Sequence, residues 1–92
     1  MSFALVTTQY FERRARKFLR KHPDLRQVLR DTLDDLCRDP FQPKLKLHLL
    51  SGNLDGVQAV SLTHSYRLTL QVTVTEQEVA LLDIGTHDEV YR

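Results

Sequence analysis

Cysteine is nearly missing from this sequence. Of its 92 residues only Cys37 carries a thiol, which excludes an internal disulfide and a cysteine-rich zinc site. Long apolar runs are missing too, and none approaches the roughly 20 residues a membrane-spanning helix needs. The N-terminus MSFALVTTQY has no basic stretch ahead of a long apolar one, so it does not read as a secretory signal. The four histidines form no His-x-His or His-x-x-x-His pair, which argues against a metal site. A Gly-rich phosphate loop, a nucleophile elbow and a Cys-x-x-Cys motif are absent as well. No repeat, linker or low-complexity segment breaks the chain. The expectation is one cytoplasmic domain over 1–92, with no metal, no cofactor and no membrane partner.

What is present is globular. Apolar residues make up 41% and charged residues 27% of the chain, enough for a core and too apolar for a disordered chain. The net charge of +1 conceals an asymmetry. Residues 11–30 carry eight Lys or Arg against Glu12 and Asp24, a local balance of +6. Residues 51–92 carry Arg67 and Arg92 against six acids, a balance of −4. A basic segment of this kind is either a solvated helix face or a surface for an anionic partner, nucleic acid or acidic protein.

Hydrophobic spacing predicts the elements. Residues 3–6, FALV, are short, apolar and partly β-branched, and read as a strand. Thr7 or Thr8 then caps a helix to about Lys21, with Phe11, Ala15, Phe18 and Leu19 as its buried stripe and Arg13, Arg14, Arg16 and Lys17 largely outside. Pro23 and Asp24 suit the first turn of a second helix. Leu25, Val28, Leu29, Leu33 and Leu36 carry it to about Arg38, where Asp39-Pro40 ends it. From Lys44 the period changes to two: Leu45, Leu47 and Leu49 point one way, Lys44, Lys46 and His48 the other. SGNLDG is a turn, 57–62 a short strand, and THS turns the chain back. In 66–74, Tyr66, Leu68, Leu70, Val72 and Val74 face the core while Arg67, Thr69, Gln71 and Thr73 face away. TEQE is a turn, and 79–84 reads as a central strand.

Strand, helix, helix and four strands on short turns make an α+β fold. The N-terminal strand and the helical hairpin pack on a largely antiparallel four- to five-stranded sheet. The sheet's other face then carries Lys44, Lys46, His48 and Arg67. Arg67 is either a surface ion pair or a guanidinium fork for a phosphate. His87 and Tyr91 are four apart and share a face if the tail makes a helical turn. Such a pair can transfer protons and orient a phosphate, whereas a frayed tail would have no role. His22 and His64 read as ordinary surface or turn residues.

Three stretches together resemble one family. HLLSGNLDG (48–56), SYRLTLQV (65–72) and DIGTHDEVY (83–91) are similar to the RelE/ParE superfamily of type II toxins, and most of all to its YafQ-like branch. The shared features are a histidine before a glycine turn, a Tyr-Arg strand start, and a Gly-Thr-His tail ending in an aromatic. The strand and helix order agrees over essentially the whole length. The resemblance implies a RelE-like fold and the toxin of a type II toxin–antitoxin system. Its activity would be that of a metal-independent endoribonuclease, an mRNA interferase that inhibits translation by cutting messenger RNA on the ribosome. It assigns catalysis to His87, Arg67, Tyr91 and His48, and RNA or ribosome binding to Lys44 and Lys46. The implied partners are a cognate antitoxin, the ribosome with its messenger, and operator DNA only through the antitoxin. The chain departs from the branch at Ser61, where such toxins carry a histidine, and at Ser65, where they carry an acid. These departures imply a weakened site or one that the ribosome completes. A ParE-like gyrase inhibitor and a non-enzymatic binding module are the alternatives.

Overall fold

The structure is a computed structural model, and it describes residues 2–50 and 56–90. The first strand is β1 (Ala4–Val6); besides its sheet pairing, Phe3 N–H donates to the Cys37 carbonyl and Ala4 N–H to the Gln77 carbonyl. Helix α1 (Gln9–Lys21) starts where Thr8, in extended backbone, accepts the Phe11 N–H on its Oγ1 at 3.1 Å. Of the two threonines expected as caps, Thr8 does it, and Thr7 instead donates to the Glu12 carboxylate at 2.7 Å. Phe11 and Phe18, seven residues apart, are its buried residues, two turns along one face.

Pro23 does not open the second helix directly. It begins a separate 3-10 turn, Pro23–Leu25, and α2 (Arg26–Arg38) follows. Leu29 and Leu36 bury into the core with Thr32 between them, its hydroxyl donating to the Val28 carbonyl at 2.9 Å. Asp39 ends α2 in extended backbone, and its carboxylate accepts the Phe41 N–H at 2.9 Å, a side-chain turn ahead of the next segment.

The alternation expected from Lys44 onward is corrected. Pro43–Leu45 is a 3-10 turn, and Lys46 takes a left-handed conformation with φ 54°. One residue in that region reverses the chain direction and breaks a period of two. The strand therefore shortens to β2 (His48–Leu49), and Leu49, expected to face inward beside Leu45, is 69% exposed. The remaining strands are β3 (Gln58–Ser61), β4 (Tyr66–Thr73) and β5 (Glu78–Thr86), and α3 (His87–Val90) follows β5 without a break. Val74, expected in the core, lies past the end of β4 and is exposed.

The sheet runs β1-β5-β4-β3-β2. β1 pairs parallel to β5, and every other pairing is antiparallel. Val60, Leu68 and Ile84 are register partners across β3, β4 and β5, so they share one face. That face meets Phe11, Phe18, Leu29 and Leu36 of the helical hairpin in a single core. Ser61, Arg67 and Gly85 are the next set of partners and lie on the opposite face. Thr69, on that second face and expected to look outward, is buried, as is its partner Ala59. The second face is therefore open at the Arg67 end and covered further along.

Candidate functional site

A cleft of about 500 Å³ opens at that uncovered end, lined by Lys44, Lys46, His48, Ser61, His64 and Arg67. Each arrives by a different local route. Lys44 and Lys46 come from the 3-10 turn and its left-handed exit, and His48 from the two-residue strand that follows. Ser61 and Arg67 are direct partners across β3 and β4, and His64 sits in the turn between those strands. Four of the residues expected to act together, Lys44, Lys46, His48 and Arg67, are therefore brought to one place. They get there by a turn rather than by the regular alternation of a long strand.

The electrostatics of the cleft are one-sided. Three permanent cations and two imidazoles line it, and no carboxylate does so among the described residues. Lys44 is braced from behind, its ammonium 3.1 Å from the Asp35 carboxylate of α2. Arg67 makes one long contact, Nη1 to the Thr63 carbonyl at 3.5 Å, part-buried beside the turn. His48 Nδ1 lies 2.8 Å from the Lys46 carbonyl. A carbonyl only accepts, so Nδ1 carries the proton and the lone pair of the neutral ring is on Nε2. His48 stands two strands from Arg67 and, by register, opposite Thr69, so the two Cα positions are roughly 11–12 Å apart at ordinary strand geometry.

His87 is placed differently. It begins α3, two residues beyond Gly85, the partner of Arg67, and its side chain is 60% exposed with Nδ1 3.5 Å from the Asp88 carboxylate. It stands past the Arg67 end of the cleft and is not among the residues that line it. The tail does make the helical turn expected of it, but Tyr91 lies outside the described residues, so its placement relative to His87 is not seen.

The tail is better anchored than its sequence suggested. Glu89, exposed to solvent, closes a capping box on Thr86. The Thr86 N–H donates to Glu89 Oε1 at 2.8 Å, and the Glu89 N–H donates to Thr86 Oγ1 at 3.3 Å. That backbone bond, helped by the positive charge of Arg14 and Lys21, holds the Glu89 carboxyl below its ordinary value. Arg14, expected outside, turns inward. Its Nε donates to Asp83 Oδ1 at 2.8 Å and its Nη2 to the Ile84 carbonyl at 3.2 Å, and the Asp83 bond raises its already high pKa further. On the helical side of the sheet, His22 packs against both Phe18 and Tyr66 with ring centroids 4.9 and 4.8 Å apart, an aromatic cluster in the core's edge.

Two of these features had a sequence signal. The Thr-x-x-Glu of THDE is the written form of a capping box, and Arg14 is the member of the basic run one turn from Phe11 and Phe18. His64 had none, because a histidine in a short turn is aimed by the turn.

No protein-family model and no curated protein matches the chain. Solved structures do. A chain of the E. coli DinJ-YafQ toxin-antitoxin complex superposes with a TM-score of 0.79 at 15% identity, covering 100% of both chains. A metal-bound toxin from Helicobacter pylori gives 0.78 at 25% identity over 96% of this chain and 98% of that one. A YoeB/ParE toxin from Agrobacterium tumefaciens gives 0.74 at 21% identity over 92% and 99%.

The chain has the RelE/ParE toxin fold. On this RelE/ParE scaffold the cationic cleft lies on the sheet face away from the helical hairpin, and α1 presents its basic side to the outside. Among the described residues no cluster of histidine, cysteine and acidic side chains is arranged to hold a metal ion.

Proposed function

We propose that this chain is the toxin of a toxin–antitoxin system and acts in the cytoplasm as an endoribonuclease that cuts messenger RNA on the ribosome. The observation that carries the reading is the cleft, where Arg67, Lys44, Lys46, His48 and His64 meet with no carboxylate among the described lining residues, on a fold shared with YafQ. A polyanion is held by such a surface, and an acidic residue beside the phosphate would repel it. Lys44 and Lys46 hold flanking phosphates. The guanidinium of Arg67 balances the charge that grows on the scissile phosphate in the transition state.

Proton transfer falls to imidazoles. His48 Nε2 takes the proton from the ribose 2′-OH as its oxygen attacks phosphorus. His87 protonates the departing 5′-oxygen, and Tyr91 orients the nucleotide by stacking or through its hydroxyl. One P–O bond forms and one breaks, leaving a 2′,3′-cyclic phosphate and a free 5′-OH. No metal is needed, because the charge is balanced by side chains. His64 lines the same cleft and is a further candidate for the second proton.

The partner that restrains such a toxin is its antitoxin. Arg13, Arg16, Lys17 and Arg20 recur at intervals of three and four on α1, one face of the helix. Of the eight cations in 11–30, Arg14 is the one held in an ion pair among the described residues. An acidic, amphipathic antitoxin segment fits along that face. Two of the similar structures are toxin–antitoxin complexes.

The test is single-turnover cleavage of ribosome-bound messenger by the purified chain, run beside a gyrase supercoiling assay. Cyclic-phosphate ends on the messenger are the expected result. Gyrase inhibition with intact RNA would replace this reading by the ParE-like one, and inertness in both assays would leave a binding module.

A further inference from the structure

Gly85 stands in the middle of a paired strand register, opposite Arg67, and not at a turn. Among the described glycines only Gly56 has a positive φ, 74°, so backbone conformation does not explain the glycine at 85. Space does. A Cβ built on Gly85 would lie 2.7 Å from Glu89 Oε1, 3.2 Å from Glu89 Cβ and 3.3 Å from Arg14 Nη2. The carboxylate of α3 and the guanidinium of α1 both rest on the bare backbone at that point.

From this geometry we infer that Glu89 and Arg14 are positioning residues. Together they fix the strand-to-helix transition that presents His87, and position 85 must be glycine for Glu89 to reach it. The inference rests on the reading of His87 as a proton-transfer group. Three sets of contacts converge on residues 83–86, the four before His87. Arg14 grips the Asp83 carboxylate and the Ile84 carbonyl. Asp83 Oδ1 also accepts the Ile84 N–H at 2.8 Å. Glu89 takes the Thr86 N–H in the reciprocal cap.

A four-residue helix has almost no stability of its own, because nucleation fixes several dihedrals for one hydrogen bond. The orientation of His87 is thus set by these external ties. Lose them and the imidazole keeps its chemistry but not its place, and misplacement by an ångström is costly to a proton transfer.

The experiment uses the full chain with Glu89→Ala, Glu89→Gln and Gly85→Ala, each checked by thermal melting. Amide hydrogen exchange of 87–90 and the imidazole resonances of His87 are read by NMR, and kcat and KM for ribosome-bound messenger are measured in parallel. Glu89→Ala is expected to speed exchange about fivefold, the typical effect of a lost cap. It should also move the His87 resonances and lower kcat about tenfold at unchanged KM. Glu89→Gln should recover most of both, since its carbonyl oxygen still accepts from Thr86 N–H. Gly85→Ala should reproduce the defect by displacing the carboxylate; if that variant does not fold, the two Glu89 variants decide alone. Unchanged exchange and unchanged His87 resonances in folded Glu89→Ala overturn the inference. So does a loosened tail with wild-type kcat. If the wild type cuts no RNA while the exchange and resonance changes appear, the ribonuclease reading falls and the positioning of His87 is upheld.

Discussion

Arg67 is the residue on which the cleft turns. Its register partner Ser61 is small, which leaves its side chain room on the open face. Arg67→Ala removes no core atom, so its melting temperature should stay close to wild type. Cleavage should fall by the roughly 3–4 kcal/mol typical of removing a group that stabilises transition-state charge, and wild-type cleavage by a folded variant would take Arg67 out of the site. His64 and His87 compete for the second proton transfer. Position 64 is a turn residue that lines the cleft, and position 87 lies beyond its end. His87→Gln and His64→Gln, compared in single-turnover cleavage, separate them. The true acid should lose on the order of 10²–10⁴-fold, and the present reading places that loss at His87. Arg14 behaves differently. Arg14→Ala strands the Asp83 carboxylate, whose side chain is only 18% exposed, and should cost about 1–3 kcal/mol in a denaturant titration.

At the scale of elements, α3 carries more weight than a frayed tail would. Val90, its last described residue, is 7% exposed, so the tail contributes to the core. Deleting 87–92 should therefore destabilise as well as inactivate. Removing one buried valine costs about 1.5–2 kcal/mol, and at roughly 4–8 °C per kcal/mol the melting temperature drops by about 6–16 °C. A melt unchanged within a degree or two would restore the simpler view. The cap also predicts an acid response. Glu89 is held below its ordinary 4.5 in the folded chain, so the stability it adds is complete above that value. It is lost as pH falls through the lowered folded one. The protection factors of amides 87–90, which divide out the intrinsic pH dependence of exchange, should then be flat from neutrality to about pH 5 and fall only in stronger acid.

For the whole molecule, charge is the organising quantity. The segment 11–30 is +6 and 51–92 is −4, yet among the described residues the only charged groups lining the cleft on the second segment's sheet face are cations. Lys44 and Lys46 come from between the two segments, and Arg67 from within the acidic one. Two cationic surfaces result, one on α1 and one in the cleft, on opposite sides of the sheet. Charge reversal of Arg13, Arg16 and Arg20 should weaken antitoxin capture with strong salt dependence and leave the melting temperature nearly unchanged. Equal capture by the reversed chain would move the antitoxin off α1.

The helices, the β3–β5 meander and the α+β class were legible in the sequence, because periods of 3.6 and 2 report which face of an element is buried. Thr8, Asp39 and the Thr86–Glu89 pair are local signals of the same sort, since a cap needs only neighbours in the chain. Gly85 was legible as a residue but not as a reason, for its neighbours are the Glu89 side chain, folded back by α3, and the guanidinium of Arg14, 71 residues away. The turn at 43–46 hid β2, because a left-handed residue such as Lys46 leaves no trace in hydrophobic spacing. Tertiary structure alone decided that His64 joins His48 and Arg67, that Arg14 turns inward, and that His87 stands beyond the cleft. Each of these depends on where a turn or a helix end is aimed, and only long-range packing sets that direction.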